Sequence, residues 1–288
     1  MTFNDYHRFL GLRNSLVCKM KQNIFMKMVV LVAILWAVTS AFGGDMQNET
    51  PSLRLTVVFN NVPFDKDLRT SWGFSCLIEG TEKTILFDTG GDGNILLDNM
   101  KRMNIDPLAV DMVFLSHIHA DHTGGLEALL KQNPRVTVCL PECFPASIKQ
   151  AIQSYGAEVK SVHSATRLLY RVHSTGEMGD YIKEQALILE TSNGLVIITG
   201  CAHPGIVNVI RKAKELFEAE VCLVMGGFHL AGMSNAGIRG TICTLKDMGV
   251  KQVAPSHCTG EKAIASFQEA WGDNFLEGGV GAIIELPK

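Results

Sequence analysis

The decapeptide Ser116-His117-Ile118-His119-Ala120-Asp121-His122-Thr123-Gly124-Gly125 sets three imidazoles and one carboxylate within six residues, directly after the apolar run Met112-Val113-Phe114-Leu115. A single loop histidine is usually a surface group, but donors this dense must share a partner, and the usual shared partner is a metal ion. Residues 111–115 read as a short buried strand, and Gly124-Gly125 opens a helical pattern through Leu126, Leu129 and Leu130, so the cluster sits on a strand-to-helix loop. In an extended loop His117 and His119 point to one side and can share an ion. Asp121 and His122 project from the following bend and can hold a second. Carboxylate with imidazole suits zinc, iron or manganese better than calcium or magnesium.

Two further histidines occupy comparable places. His203 lies in Thr199-Gly200-Cys201-Ala202-His203-Pro204-Gly205 and His257 in Pro255-Ser256-His257-Cys258-Thr259-Gly260, each after an apolar strand pattern, at 195–198 and 252–254. A doubled sheet would gather such strand ends along one edge. A third strand, 84–87, ends at Asp88-Thr89-Gly90-Gly91. Its carboxylate could receive a hydrogen bond from a ligand histidine, or serve only an Asx-turn.

The rest of the chain alternates strands and helices with no internal repeat. Strands are expected at 53–60, 74–78, 135–140 and 158–162, with helices at 94–103 and 146–155. Antiparallel strands follow over 167–198, turning at Gly176, Gly179 and Asn193-Gly194. Pro204 is expected to start a helix carrying Val207, Ile210, Ala213 and Phe217 on one face; strands at 221–225 and 250–255, helices at 240–247 and 262–270, and a last strand at 280–285 complete the pattern. Strand-rich stretches before helices, twice over, predict an α/β fold of two stacked mixed sheets with helices on both outer faces.

The N-terminus is read separately. Lys19, Lys21 and Lys27 precede an apolar run from Val29 to Phe42 with small residues at Ala41 and Gly43, the pattern of a secretory signal whose core is too short for a comfortable membrane span. The expected division is therefore 1–43 as extension and signal peptide and 44–288 as one catalytic domain. The expected location is the periplasm or another extracytoplasmic space, with the cytoplasm as the alternative if the true start lies beyond the leader. No stable membrane span is expected after cleavage. The leader holds five of the 26 Lys plus Arg and one of the 29 Asp plus Glu, leaving 21 against 28. That acidic balance excludes a general nucleic-acid binder, while a local basic rim could still hold an anionic small molecule. Of the eight cysteines, Cys18 falls in the leader, and the remaining seven include no C-x-x-C pair and give no disulfide framework. Cys201 and Cys258 adjoin candidate ligands and are read as their neighbours rather than as nucleophiles.

The His117-x-His119-x-Asp121-His122 loop, followed by His203 and His257 and preceded by Asp88, resembles the metallo-β-lactamase fold superfamily across nearly the whole chain after the leader. The resemblance implies an αββα sandwich with a dinuclear site at the sheet edges, His117, His119 and His203 around one divalent ion and Asp121, His122 and His257 around the other, with zinc the first expectation and iron or manganese open. Asp88 would orient a ligand histidine. Ser174-Thr175-Gly176-Glu177, Glu184-Gln185-Ala186, Gly200 to Gly205, Gly226-Gly227-Phe228-His229-Leu230 and Pro255 to Gly260 are similar to the branch named for 7,8-dihydropterin-6-methyl-4-(β-D-ribofuranosyl)aminobenzene 5′-phosphate synthase. Two departures stand out. Many dinuclear members carry a bridging Asp after the strand that here ends in Gly226-Gly227, and Trp72-Gly73 stands where this branch leads one to expect His-Gly.

The chemistry implied is hydrolysis of an ester, lactone or phosphoester-type small molecule by a metal-bound hydroxide, with Asp121 orienting it or taking its proton. His229 is either a replacement ligand or a group that binds a substrate phosphate, and Glu177 is a second candidate for substrate binding. The alternative is a synthase in which an arylamine or ring carbon displaces diphosphate at the same metals. A non-catalytic metal-binding or sensing protein is the third. The residues do not define an oligomeric state.

Overall fold

Residues 194–199 show how the sequence builds the layers: Leu195 and Ile197 belong to one apolar cluster, and Val196 and Ile198 to another on the opposite face. A strand buried on both faces lies between two layers, and this one separates a helical layer from a second sheet. The computed structural model describes residues 52–287, so the leader read at 1–43 lies outside the described residues.

The first sheet has seven strands in the order β13-β1-β2-β3-β4-β5-β6, with β1 at Ser52–Asn60, β2 at Phe74–Glu79, β3 at Ile85–Phe87, β4 at Met112–Phe114, β5 at Thr137–Pro141, β6 at Glu158–Val162 and β13 at Ile283–Pro287. The second has six, β12-β11-β10-β9-β8-β7, with β7 at Ser164–Leu169, β8 at Val172–Gly176, β9 at Leu187–Thr191, β10 at Gly194–Thr199, β11 at Val221–Gly227 and β12 at Gln252–Ser256. Both sheets are mixed: β3 to β6 run parallel in the first and β10 to β12 in the second. Their facing sides share one core of residues such as Leu55, Phe74, Phe87 and Phe114 against Leu187, Val196, Ile198 and Met225.

Helices cover both outer faces. Against the first sheet lie α1 (Gly93–Arg102), α3 (Leu126–Gln132) and α4 (Ala146–Ser154) through Leu96, Met100, Leu129 and Ile152. Against the second lie α5 (Ile206–Leu216), α6 (Asn235–Asp247) and α7 (Glu261–Trp271) through Ile210, Leu245 and Phe267. Each fully buried large aliphatic or aromatic side chain contributes about 1.5–3 kcal/mol, which is why three separate apolar clusters hold four layers in register. The expected αββα sandwich is thus the observed one. No helix among the described residues is long and apolar enough to cross a membrane.

Several boundaries differ from the sequence expectation. Pro204 does not start a helix: Gly205 follows it at φ +89° and α5 begins at Ile206. The hairpin between β7 and β8 turns at Tyr170-Arg171, where Arg171 takes a positive φ of 59° without the Gly or Asn that would have marked it. The last strand starts at Ile283 because Val280 bridges Pro63 and Gly281, at φ +93°, redirects the chain. The metal loop contains a helical turn, α2 (Ala120–Thr123), rather than a plain bend.

Candidate metal centre

All six histidine and aspartate donors lie where parallel strands end, along the edge at which the sheets' C-terminal strand ends meet. β4 leads into Ser116 and His117, α2 carries Asp121 and His122 with His119 just before it, β10 leads to His203, and β12 to His257. Of the six non-glycine residues at positive φ among the described residues, four are Asp88, Ala202, His229 and His257. Backbone held in this costly region concentrates at sites where geometry is over-determined.

The ring nitrogens of His117 and His203 face His119 Nδ1 at 3.1 and 3.2 Å. One nitrogen cannot satisfy both neighbours by a single proton, so the arrangement suits a shared cation. The ligand atoms of this trio all lie within 4.8 Å of one another, as do those of Asp121, His122, Cys201 and His257. His257 Nε2 lies 3.3 Å from Asp121 Oδ2 yet is out of line for a hydrogen bond, and it is buried with no other partner. Orphaned buried nitrogens are rare, and a metal ion would satisfy this one. The two donor sets therefore fit the ions that the sequence implied.

Beneath the donors, hydrogen bonds fix which nitrogen of each ring is free. Asp88 Oδ1 accepts the Ser116 N–H at 2.7 Å, and Oδ2 accepts both the Ser116 hydroxyl and His122 Nδ1 at 2.7 Å. Ser116 Oγ in turn accepts from His117 Nδ1 at 2.9 Å. Asn61 Oδ1 accepts from His257 Nδ1 at 2.8 Å. These contacts hold Nδ1 of three rings against fixed acceptors and turn each Nε2 towards the donors' common centre. Burial, and next the neighbouring imidazoles led by His122, hold His117 far below the usual histidine range. Burial and the adjacent His229 lower His203 to about 4, so both rings keep a free lone pair at neutral pH. Burial would lower His122 as well, but the Asp88 carboxylate outweighs it and raises this ring. Burial acts to raise Asp121; the His257 and His122 imidazoles reverse the effect and hold it below the usual carboxylate range.

A second brace was not assigned a role from sequence. Glu184, fully buried, accepts the backbone N–H groups of Cys201, Ala202 and His203 at 2.9, 2.8 and 2.8 Å. Gln185 beside it donates to Leu115 O at 2.9 Å and accepts the Ser174 hydroxyl at 2.7 Å. One dipeptide thus clamps the loops that carry His117 and His203. Gly73 closes the opposite side: at φ +140° its α-carbon packs so close to the Asp121 carbonyl that no β-carbon would fit. Next to it the half-exposed Trp72 ring lies 4.8 Å from the His257 ring.

His229, exposed at the end of β11, lies with its ring 4.5 Å from that of His203 and shares a donor group with His203 and Cys201. Glu177 is engaged elsewhere, accepting the Cys143 N–H at 2.7 Å and lying 2.9 Å from His163 Nδ1. Cys201 joins the donor set directly: its Sγ is 3.3 Å from His122 Nε2.

Because Asp88 serves three partners, Asp88→Asn is expected to lower metal affinity by about 10–100-fold, since an amide must present N–H to either Ser116 or His122. Competition against a chromophoric chelator reads this. Unchanged affinity would show that Asp88 serves only the turn.

The model of the metallo-beta-lactamase superfamily matches residues 73–211. A curated relative, the 7,8-dihydropterin-6-methyl-4-(β-D-ribofuranosyl)-aminobenzene-5′-phosphate synthase of Methanocaldococcus jannaschii, is 33% identical, with the match covering 74% of this chain and 90% of that one. Among solved structures, a metal-dependent hydrolase of the β-lactamase superfamily superposes with a TM-score of 0.72 at 26% identity, over 82% of this chain and all (100%) of that one. A diphosphatase of the PhnP family, at 15% identity and a TM-score of 0.55 over 82% of this chain and 97% of its own, shares the fold.

Proposed function

The chain belongs to the metallo-β-lactamase superfamily and is an enzyme of that superfamily, and from that premise we propose that it is a metal-dependent hydrolase acting on an ester, lactone or phosphoester-type small molecule. The observation that carries this reading is the pair of donor sets, one of three imidazoles and one containing Asp121, each with its ligand atoms within 4.8 Å. His117, His119 and His203 would hold one divalent transition-metal ion, and Asp121, His122 and His257 the other, zinc being the first candidate. When bound, such ions polarise a carbonyl or phosphoryl oxygen and acidify water to a pKa of about 7.

The chain's own residues do the rest. Asp121, ionised at neutral pH and with a side chain still 20% exposed, orients the attacking water and accepts its proton. His229, raised by the neighbouring Cys258 thiol, stands beside His203 where it can meet an anionic substrate group. Trp72 offers a flat apolar wall on the His257 side.

A synthase reading is favoured by one observation, the 33% identity to the archaeal synthase over 90% of that protein. In that reaction a carbon–oxygen bond to diphosphate breaks, a bond from an arylamine nitrogen or ring carbon forms, and the attacking group loses its proton. The metal-reconstituted protein is expected to bind up to two equivalents by elemental analysis and to cleave at least one member of a panel of esters, lactones, thioesters and phosphodiesters. Less than about one equivalent in folded protein overturns the two-ion reading. Full metal with no cleavage, but diphosphate released only when an arylamine is present, selects the synthase. Full metal with neither leaves a binding or sensing protein.

The apolar leader supports export, and protein recovered from its natural host is expected to begin near Phe42 or Gly44. N-terminal sequencing that finds an intact leader overturns this.

A further inference from the structure

We propose that Cys201 supplies a thiolate ligand to the metal position formed by Asp121, His122 and His257; this rests on the metal-binding reading above. The strand that would otherwise provide an anionic ligand here cannot. β11 ends in Gly226-Gly227. A β-carbon on Gly227 would lie 2.7 Å from Cys258 Sγ and against the Gly200 carbonyl oxygen, and one on Gly226, at φ +108°, would strike the Thr199 carbonyl oxygen. No side chain fits at either position without moving backbone.

The space between the donors is approached by sulfur instead. Cys201 Sγ lies 3.3 Å from His122 Nε2, Asp121 Oδ2 3.6 Å from the same nitrogen, and His257 Nε2 3.3 Å from Asp121 Oδ2. Bond lengths of about 2.0–2.3 Å around a tetrahedral zinc place neighbouring ligand atoms about 3.4–3.6 Å apart, while cis ligands of an octahedral ion sit closer, at about 3 Å. These three separations, 3.3, 3.6 and 3.3 Å, lie nearer the tetrahedral edge than the octahedral one, with Asp121, His122, His257 and Cys201 as the four corners of the proposed site. Sγ also belongs to the group containing His203 and His229, and His203 is in turn part of the trio with His117 and His119. Cys201 thus lies in the second donor set on the side of His203, where its thiolate would supply the negative charge that β11 does not.

Its placement is fixed independently of any ion. The Cys201 N–H is held by Glu184, and Asp88 accepts the hydrogen bond of His122 Nδ1, so that Nε2 is the ring atom that faces the sulfur. The competing role for this thiol is donation of its S–H to His122 Nε2, which needs no metal and gives no thiolate.

Cobalt(II) distinguishes them, because a thiolate ligand adds an intense sulfur-to-cobalt charge-transfer band in the near ultraviolet. The full protein loaded with two equivalents of cobalt is expected to show that band, and Cys258→Ala is expected to keep it. Cys201→Ser is expected to lose the band and to bind the second equivalent more weakly by more than the roughly 10–100-fold that loss of an outer partner costs. Two bound equivalents in the wild type with no such band overturn the proposal, as does a band that survives in Cys201→Ser. Failure of the wild type to bind cobalt or zinc at all overturns the metal reading itself. The wild-type spectrum decides the question even if a variant does not fold.

Discussion

Asp121→Ala is expected to lower kcat on any hydrolysed substrate by about 10²- to 10⁴-fold, the range over which positioned acid–base groups act. The side chain combines two functions in the proposed site. It is the carboxylate of the donor set with His122, Cys201 and His257, and it is ionised where the attacking water would sit. Its loss should also weaken the second metal equivalent, so metal content and rate are to be measured on the same sample. Wild-type rates with full metal would remove Asp121 from the mechanism. His229→Ala provides the contrast. If the ring meets substrate, KM rises while metal content stays unchanged, as expected for lost ground-state binding. If it is a ligand, the second equivalent weakens and kcat falls.

Glu184→Ala is expected to cost roughly 3–5 kcal/mol of folding stability, because three backbone N–H groups would lose their buried acceptor at once. Burial raises the Glu184 carboxyl, against the pull of those hydrogen bonds, so removing a desolvated acid offsets part of the loss. Glu184→Gln keeps one acceptor oxygen and should fall between the two. Urea unfolding of metal-free protein reads the stability, and metal titration shows whether His203 is still held in place. An unchanged midpoint with full metal binding would mean that the 201–203 loop keeps its form without this brace.

These two experiments probe residues of very different legibility in the sequence. Asp121 stood in a six-residue cluster whose density alone required a shared partner, and the period-two and helical patterns around it were enough to predict two mixed sheets with helices outside. His203 and His257 could be joined to that cluster because each followed a strand, and strand ends in such a fold converge. Asp88 announced itself in the same way, although whether it served a ring or a turn was open until its carboxylate was found between Ser116 and His122. Local sequence carries this much because hydrophobic period and donor density are properties of neighbouring residues.

What it could not carry is pairing across the fold. Asn61 fixes the His257 ring from 196 residues away, and Glu184 fixes a loop that begins 17 residues later, across a β-hairpin. Neither spacing has a period to betray it. Arg171 turns a hairpin in a left-handed conformation that no turn residue advertises. Cys201 adjoins a ligand in the sequence, and only the tertiary fold brings its sulfur within 3.3 Å of the His122 ring. The sequence by itself determined the donor types, their order and the layers that would gather them. The tertiary structure alone decided which ring nitrogens turn towards the common centre and which sulfur lies beside them, because hydrogen-bond partners and donor separation are set by contacts between distant segments.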